Sequence, residues 1–177
     1  MEIKFGTQSD PQINRLWEYA LQFYASMLMM DSFRQIVVKY VVLDDMYIGA
    51  NGMATVLEES DDMIHGAVFF EGEYDTAKMN EFTLGIWYNL KPGEIFEIMA
   101  HEMVHIEQYA SHRLRTIQNA DGVFNRWDMK MIPADTPYNK LPWEIDAYAR
   151  QDKLFLALST DPEFMSLCKE VAESVSH

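Results

Sequence analysis

The chain predicts an α+β fold formed as one domain over residues 1–177, in the order N-terminal helix, small antiparallel or mixed sheet, then a series of helices. Three observations lead there. Apolar residues recur at helical spacing near the start. Strand-length β-branched runs then cluster between residues 35 and 89, and three segments opened by Pro92, Pro142 and Pro162 return to helical periodicity. Strands that come as a group, with helices after them, favour segregated layers over a βαβ alternation. A length of 177 residues suits one domain, and 49% hydrophobic residues with 13% aromatics can fill a core.

The first helix is expected over Asp10–Met30. Asp10 can cap it, Pro11 suits its first position, and Ile13, Leu16, Trp17, Ala20, Leu21, Tyr24 and Leu28 share one stripe. Gln35 to Leu43 reads as a strand, punctuated afterwards by Asp44-Asp45 and by Gly49-Ala50-Asn51-Gly52. Met53–Glu59 and Ile64–Glu71 form an expected hairpin around Ser60-Asp61-Asp62, and Phe82–Asn89 is a further strand. A long helix follows from Pro92 to about residue 112. Arg113 to Leu141 reads as irregular, with a short hairpin within Val123–Ile132. The last two helices run from Pro142 to about Leu158 and from Asp161-Pro162 to about Val175. No repeat, low-complexity tract or linker interrupts the chain.

Charge narrows the function classes. Twenty-eight acidic residues against fourteen basic ones give a net charge of −14. That balance opposes binding to nucleic-acid backbone and to anionic lipid. Charged residues interrupt every apolar run well before about 18–20 residues, so no membrane span is expected. The N-terminal stretch lacks the basic start and apolar run of a secretory leader. Cys168 is the single cysteine, which rules out an intrachain disulfide and a multi-cysteine zinc site and suits a reducing, cytoplasmic compartment. Cys168 lies in a helical segment without a paired motif, so a thiol nucleophile is not expected. The 13 methionines read as adaptable core filling.

The informative string is Ala100-His101-Glu102-Met103-Val104-His105, an H-E-x-x-H pattern inside the predicted long helix. Residues four apart lie on one helix face, so both imidazoles can reach one metal ion. Glu102, beside the first histidine, is placed to take a proton from water activated by that ion. A catalytic zinc site needs a third protein ligand. His112 continues the stripe, but position 108 is Gln rather than a turn-making Gly, and an unbroken helix sets His112 about 10 Å beyond His105. Glu107 points to another face, and His65 reads as a solvent-facing strand residue. Glu144 stands in the first turn of the next helix, where the dipole favours an ionised carboxylate. Ala147 and Ala149 would let that helix pack closely on the histidine helix. Asp146 competes with Glu144 as ligand, or serves as acceptor for a histidine ring N–H, or is only a surface charge.

These residues resemble gluzincin-type metallopeptidases, in which H-E-x-x-H is followed by a glutamate ligand on a downstream helix. Glu144-Ile145-Asp146-Ala147 is similar to the corresponding region of small ImmA/IrrE-like peptidases, and the run from Phe82 through His105 is similar to SprT-like minimal gluzincins. The likeness covers about residues 80 to 155. It implies zinc held by His101, His105 and Glu144, Glu102 as general base, and a peptide or protein substrate. Similar strings in small phage-encoded proteins add a viral source, within a host cytoplasm, as an expectation. For the oxyanion of peptide hydrolysis, Tyr148 is the first donor choice, one turn beyond Glu144, and Tyr138 the second. Thr83–Asn89 or the Ile64–Glu71 strand would offer an edge for extended substrate. A second reading is an acidic, inactive binding protein that keeps a zinc site and imitates nucleic acid on a basic partner.

Overall fold

A computed structural model of the chain describes residues 2–5, 11–30, 37–43, 66–69, 74–78, 81–87 and 90–175. Asp10, most of the expected 53–71 hairpin and His65 lie outside the described residues. The architecture is α+β. Strands β1 (Glu2–Phe5), β2 (Val37–Leu43), β3 (Gly66–Phe69) and β5 (Glu81–Trp87) form one sheet in the order β1-β2-β5-β3. Its first three strands run parallel, and β3 runs antiparallel to β5. Strands β4 (Tyr74–Asp75), β6 (Leu114–Asn119), β7 (Gly122–Trp127) and β8 (Lys130–Ile132) make a second sheet, antiparallel throughout.

Four helices complete the described fold: α1 (Pro11–Met27), α2 (Pro92–Ala110), α3 (Pro142–Ser159) and α4 (Pro162–Val175). Each begins with proline, whose missing N–H costs nothing in a first turn. At α2 the Glu94 carboxylate reaches back to accept the Lys91 backbone N–H at 3.0 Å. At α4, Asp161 accepts the N–H groups of Glu163 and Phe164, and the Tyr19 hydroxyl of α1 donates to the same oxygen at 2.8 Å. No helix among the described residues is long and apolar enough to cross a membrane.

The core lies between the first sheet and the helices. Leu16, Ala20, Leu21 and Tyr24 of α1 meet Phe82, Leu84 and Ile86 of β5, Phe96, Met99 and Met103 of α2, and Leu154 and Leu158 of α3. Tyr24 is fully buried, and its hydroxyl donates to the Phe96 carbonyl at 2.8 Å. Helix α2 is covered on every side from Met99 to Gln108. The sheet lies on one side of it and α3 on another.

Several expectations change. Residues 2–5 form a strand parallel to β2, so a β1-α1-β2 unit opens the chain; four residues were too few for alternation to declare it. The 113–141 segment holds an additional strand, β6, whose partners are β4 and β7. The expected hairpin is present as β7 and β8, joined by Asp128 and Met129 with φ of 44° and 70°. These left-handed values suit a two-residue hairpin turn, although neither residue is glycine. Helix α2 ends at Ala110, with Ser111 as cap and His112 at φ 61°, so His112 has left the helical stripe. Strand β5 is interior to its sheet, which removes Thr83–Trp87 as a substrate edge; β3 is the outer strand on that side among the described residues. Ala147 is buried at the α2–α3 contact, whereas Ala149 is exposed.

Candidate metal centre

Helix α2 turns His101 and His105 to one face, one turn apart, with ring centroids 4.8 Å apart. Helix α3 crosses above them and lowers Glu144 from its first turn. The Nε2 atoms of the two histidines are 3.1 Å apart. The Glu144 carboxylate lies 3.3 Å from His101 Nε2 through Oε2 and 3.5 Å from His105 Nε2 through Oε1. All three side chains are buried, and together they form a group able to hold a metal ion. A tetrahedral ion with bonds of about 2.0–2.1 Å holds its ligand atoms about 3.3 Å apart, which the three separations match.

Hydrogen bonds to the far side of each ring set the tautomers. Gln108 uses both amide hydrogens, donating to the Trp143 carbonyl at 3.0 Å and to Asp146 Oδ2 at 2.9 Å. Its Oε1 therefore accepts from His105 Nδ1–H at 2.9 Å. Gln151 likewise donates to Glu97 and accepts from His101 Nδ1–H at 2.7 Å. With both Nδ1 atoms protonated, the two Nε2 lone pairs face each other. That is a repulsive arrangement unless a proton or metal cation lies between them.

The electrostatics agree. Burial disfavours a charged His105, yet the Glu144 hydrogen bond and the charges of Glu102 and Glu144 raise its pKa to about 9. Burial would push Glu144 up, but the two imidazoles beside it and the Tyr138 hydroxyl hold it well below the usual carboxylate range. Glu102 is buried beside this group, and desolvation raises its pKa despite the neighbouring imidazoles. The pocket thus favours positive charge at its centre, with a proton-affine carboxylate next to it.

Sequence reasoning named His101, His105, Glu102 and Glu144, and the fold brings all four together. Tyr138, on the Tyr138–Lys140 turn before α3, donates its hydroxyl to Glu144 Oε2 at 2.6 Å. Tyr148 sets its ring 4.7 Å from that of His101 and is more than half exposed. Asp146 reaches neither ring. Its Oδ2 takes Gln108, Arg113 and Arg150, at 2.9, 3.1 and 3.1 Å, and so acts on His105 only through Gln108. Glu107 points away, to Arg150 at 2.7 Å. Sequence reasoning missed Gln108 and Gln151 as acceptors for the rings. Cys168 is partly buried, and burial raises its pKa, which fits an inert thiol.

Comparison of the chain with protein-family models, with curated proteins and with solved structures finds no match.

Proposed function

We propose that the protein is a zinc-dependent peptidase of gluzincin type. The observation that carries this reading is the meeting of two Nε2 lone pairs and a buried carboxylate at 3.1–3.5 Å, with Glu102 beside them. Two imidazoles and one carboxylate are a donor set zinc favours in catalytic sites, with one position open.

Zinc, when bound there, supplies a Lewis acid that polarises a carbonyl and acidifies water. Glu102 takes the proton of the attacking water as its oxygen bonds to the carbonyl carbon. When the C–N bond breaks, Glu102 gives that proton to the leaving amine. Burial suits Glu102 to both steps, since it raises the proton affinity of the carboxylate. Tyr148, exposed against His101 and in hydrogen-bonding reach of Tyr138, is the donor for the oxyanion, while the Tyr138 hydroxyl is committed to Glu144. An extended peptide would lie along β3, which flanks α2. The single cysteine supports a reducing compartment such as the cytoplasm.

A net charge of −14 favours a second reading, an acidic protein that occupies a basic partner and keeps the metal site without catalysis. Glu102→Gln separates the two. Zinc content stays at one per chain under both readings, measured by metal analysis after dialysis. Under the first, cleavage of a mixed peptide pool seen with the wild type disappears. Under the second, wild type and variant are alike because neither cleaves.

A further inference from the structure

On the reading of His101, His105 and Glu144 as metal ligands, we infer that Gln108 is the positioning residue that couples them, orienting His105 through its amide oxygen while its amide hydrogens anchor the start of α3, from which Glu144 descends. Gln108 is wholly buried, and three of its polar contacts are made to groups the site depends on. Its oxygen fixes the His105 ring with Nε2 inward. Its nitrogen holds the carbonyl of Trp143, one residue before Glu144, and Asp146, two residues after it. Arg113 and Arg150 grip the same Asp146 oxygen, which fixes its place as an acceptor for the amide. One side chain on the histidine helix therefore sets both the ring angle of one ligand and the register of the helix that bears another. An apolar residue of equal size would fill the space and do neither.

Two near-isosteric replacements divide positioning from packing. Gln108→Met loses the acceptor for His105 and the tether to α3. Gln108→Glu keeps an acceptor for His105 Nδ1–H but donates nothing to Trp143 and sets a second carboxylate against Asp146. Zinc affinity would be read by competition with a chromogenic chelator, and folding by thermal melting of the metal-stripped chains. Cobalt substitution adds the visible ligand-field spectrum as a signature of His105 geometry. A positioning role predicts that Gln108→Met weakens zinc 10–100-fold and alters the cobalt spectrum. Gln108→Glu loses less than 10-fold in affinity although it melts lower than the Met variant. The two variants thus rank oppositely in affinity and in stability.

A Met variant within threefold of wild type, or a Glu variant that binds more weakly than the Met variant, overturns the inference and leaves the metal site standing. Failure of both variants to fold assigns Gln108 a scaffold role and also overturns it. Absence of zinc binding in the wild type overturns the site itself and the inference with it.

Discussion

Replacing Glu144 with alanine removes the only one of the three proposed ligands that comes from α3. In the folded chain this carboxylate is about nine-tenths buried and within 3.5 Å of both imidazoles, so the fold itself holds it in place as a ligand. Even partners one shell further out are worth 10–100-fold in metal affinity. Loss of the ligand itself should cost 100-fold or more. With free zinc about 1,000 times the wild-type dissociation constant, binding stabilises the wild type by about 4.1 kcal/mol. A 100-fold weaker site gains about 1.4 kcal/mol under the same conditions. For a domain of this size, about 2–4 °C accompany each kcal/mol. Zinc should then raise the wild-type Tm by roughly 8–16 °C and that of Glu144→Ala by roughly 3–6 °C. Asp146→Ala, which acts through Gln108, should fall between them, with about 2.7 kcal/mol if its affinity drops tenfold. Differential scanning calorimetry of metal-stripped protein, with and without buffered zinc, makes the measurement. An equal zinc-induced shift in wild type and Glu144→Ala would refute the assignment of this carboxylate as a ligand. A larger loss for Asp146→Ala than for Glu144→Ala would refute the order of the two residues.

Tyr24→Phe leaves the Phe96 carbonyl without its hydroxyl partner in the core, and chemical denaturation should register a loss of about 1–3 kcal/mol. Leu84→Ala, in the central strand β5, opens a cavity beneath the helices and should cost about 2–5 kcal/mol in the same assay. Backbone hydrogen bonds from the first turn of α4, then the Tyr19 hydroxyl, lower the pKa of Asp161. A group with a depressed folded pKa adds stability above its unfolded value of about 3.9 and loses it as pH falls through the folded value. The Tm deficit of Asp161→Ala should therefore be full at pH 7 and shrink in acid below about pH 4; a deficit unchanged by acid would contradict the cap. Tyr138→Phe frees one oxygen of Glu144, and chelator competition should show an altered zinc affinity with the fold unchanged by circular dichroism.

The histidine pair was legible because its geometry is local: four residues on a helix determine a shared face with no knowledge of the rest. Glu144 was legible for a related reason, since the first turn of a Pro-started helix attracts a carboxylate whatever lies opposite. Gln108 and Gln151 were not. Their partners are set by how α3 crosses α2, and position 108 drew notice only as a residue that was not glycine. Asp146 was placed near a ring in the reading from sequence, but Arg113, Arg150 and the Gln108 amide hold it one step away. In the fold, the Pro-led helices were clear from start signals. Strand β6 was hidden because Leu114 and Thr116 turn inward while Ile117 faces Phe124 on the opposite side, which spoils simple alternation. The β7–β8 turn carries Asp128 and Met129 in place of the glycine that would have announced it.

Helix α2 runs through the interior rather than along its rim, and this bears on how an ion would come and go. Amides from Met99 to Gln108 should be among the slowest to exchange with deuterated solvent, opening only in global unfolding. Two of the three grasping groups would then be set before any cation arrives, unlike the small finger modules that collapse only around their metal. Chelation should strip and restore the ion repeatedly without melting the chain, and capture should be limited by the dehydration of the incoming ion rather than by folding.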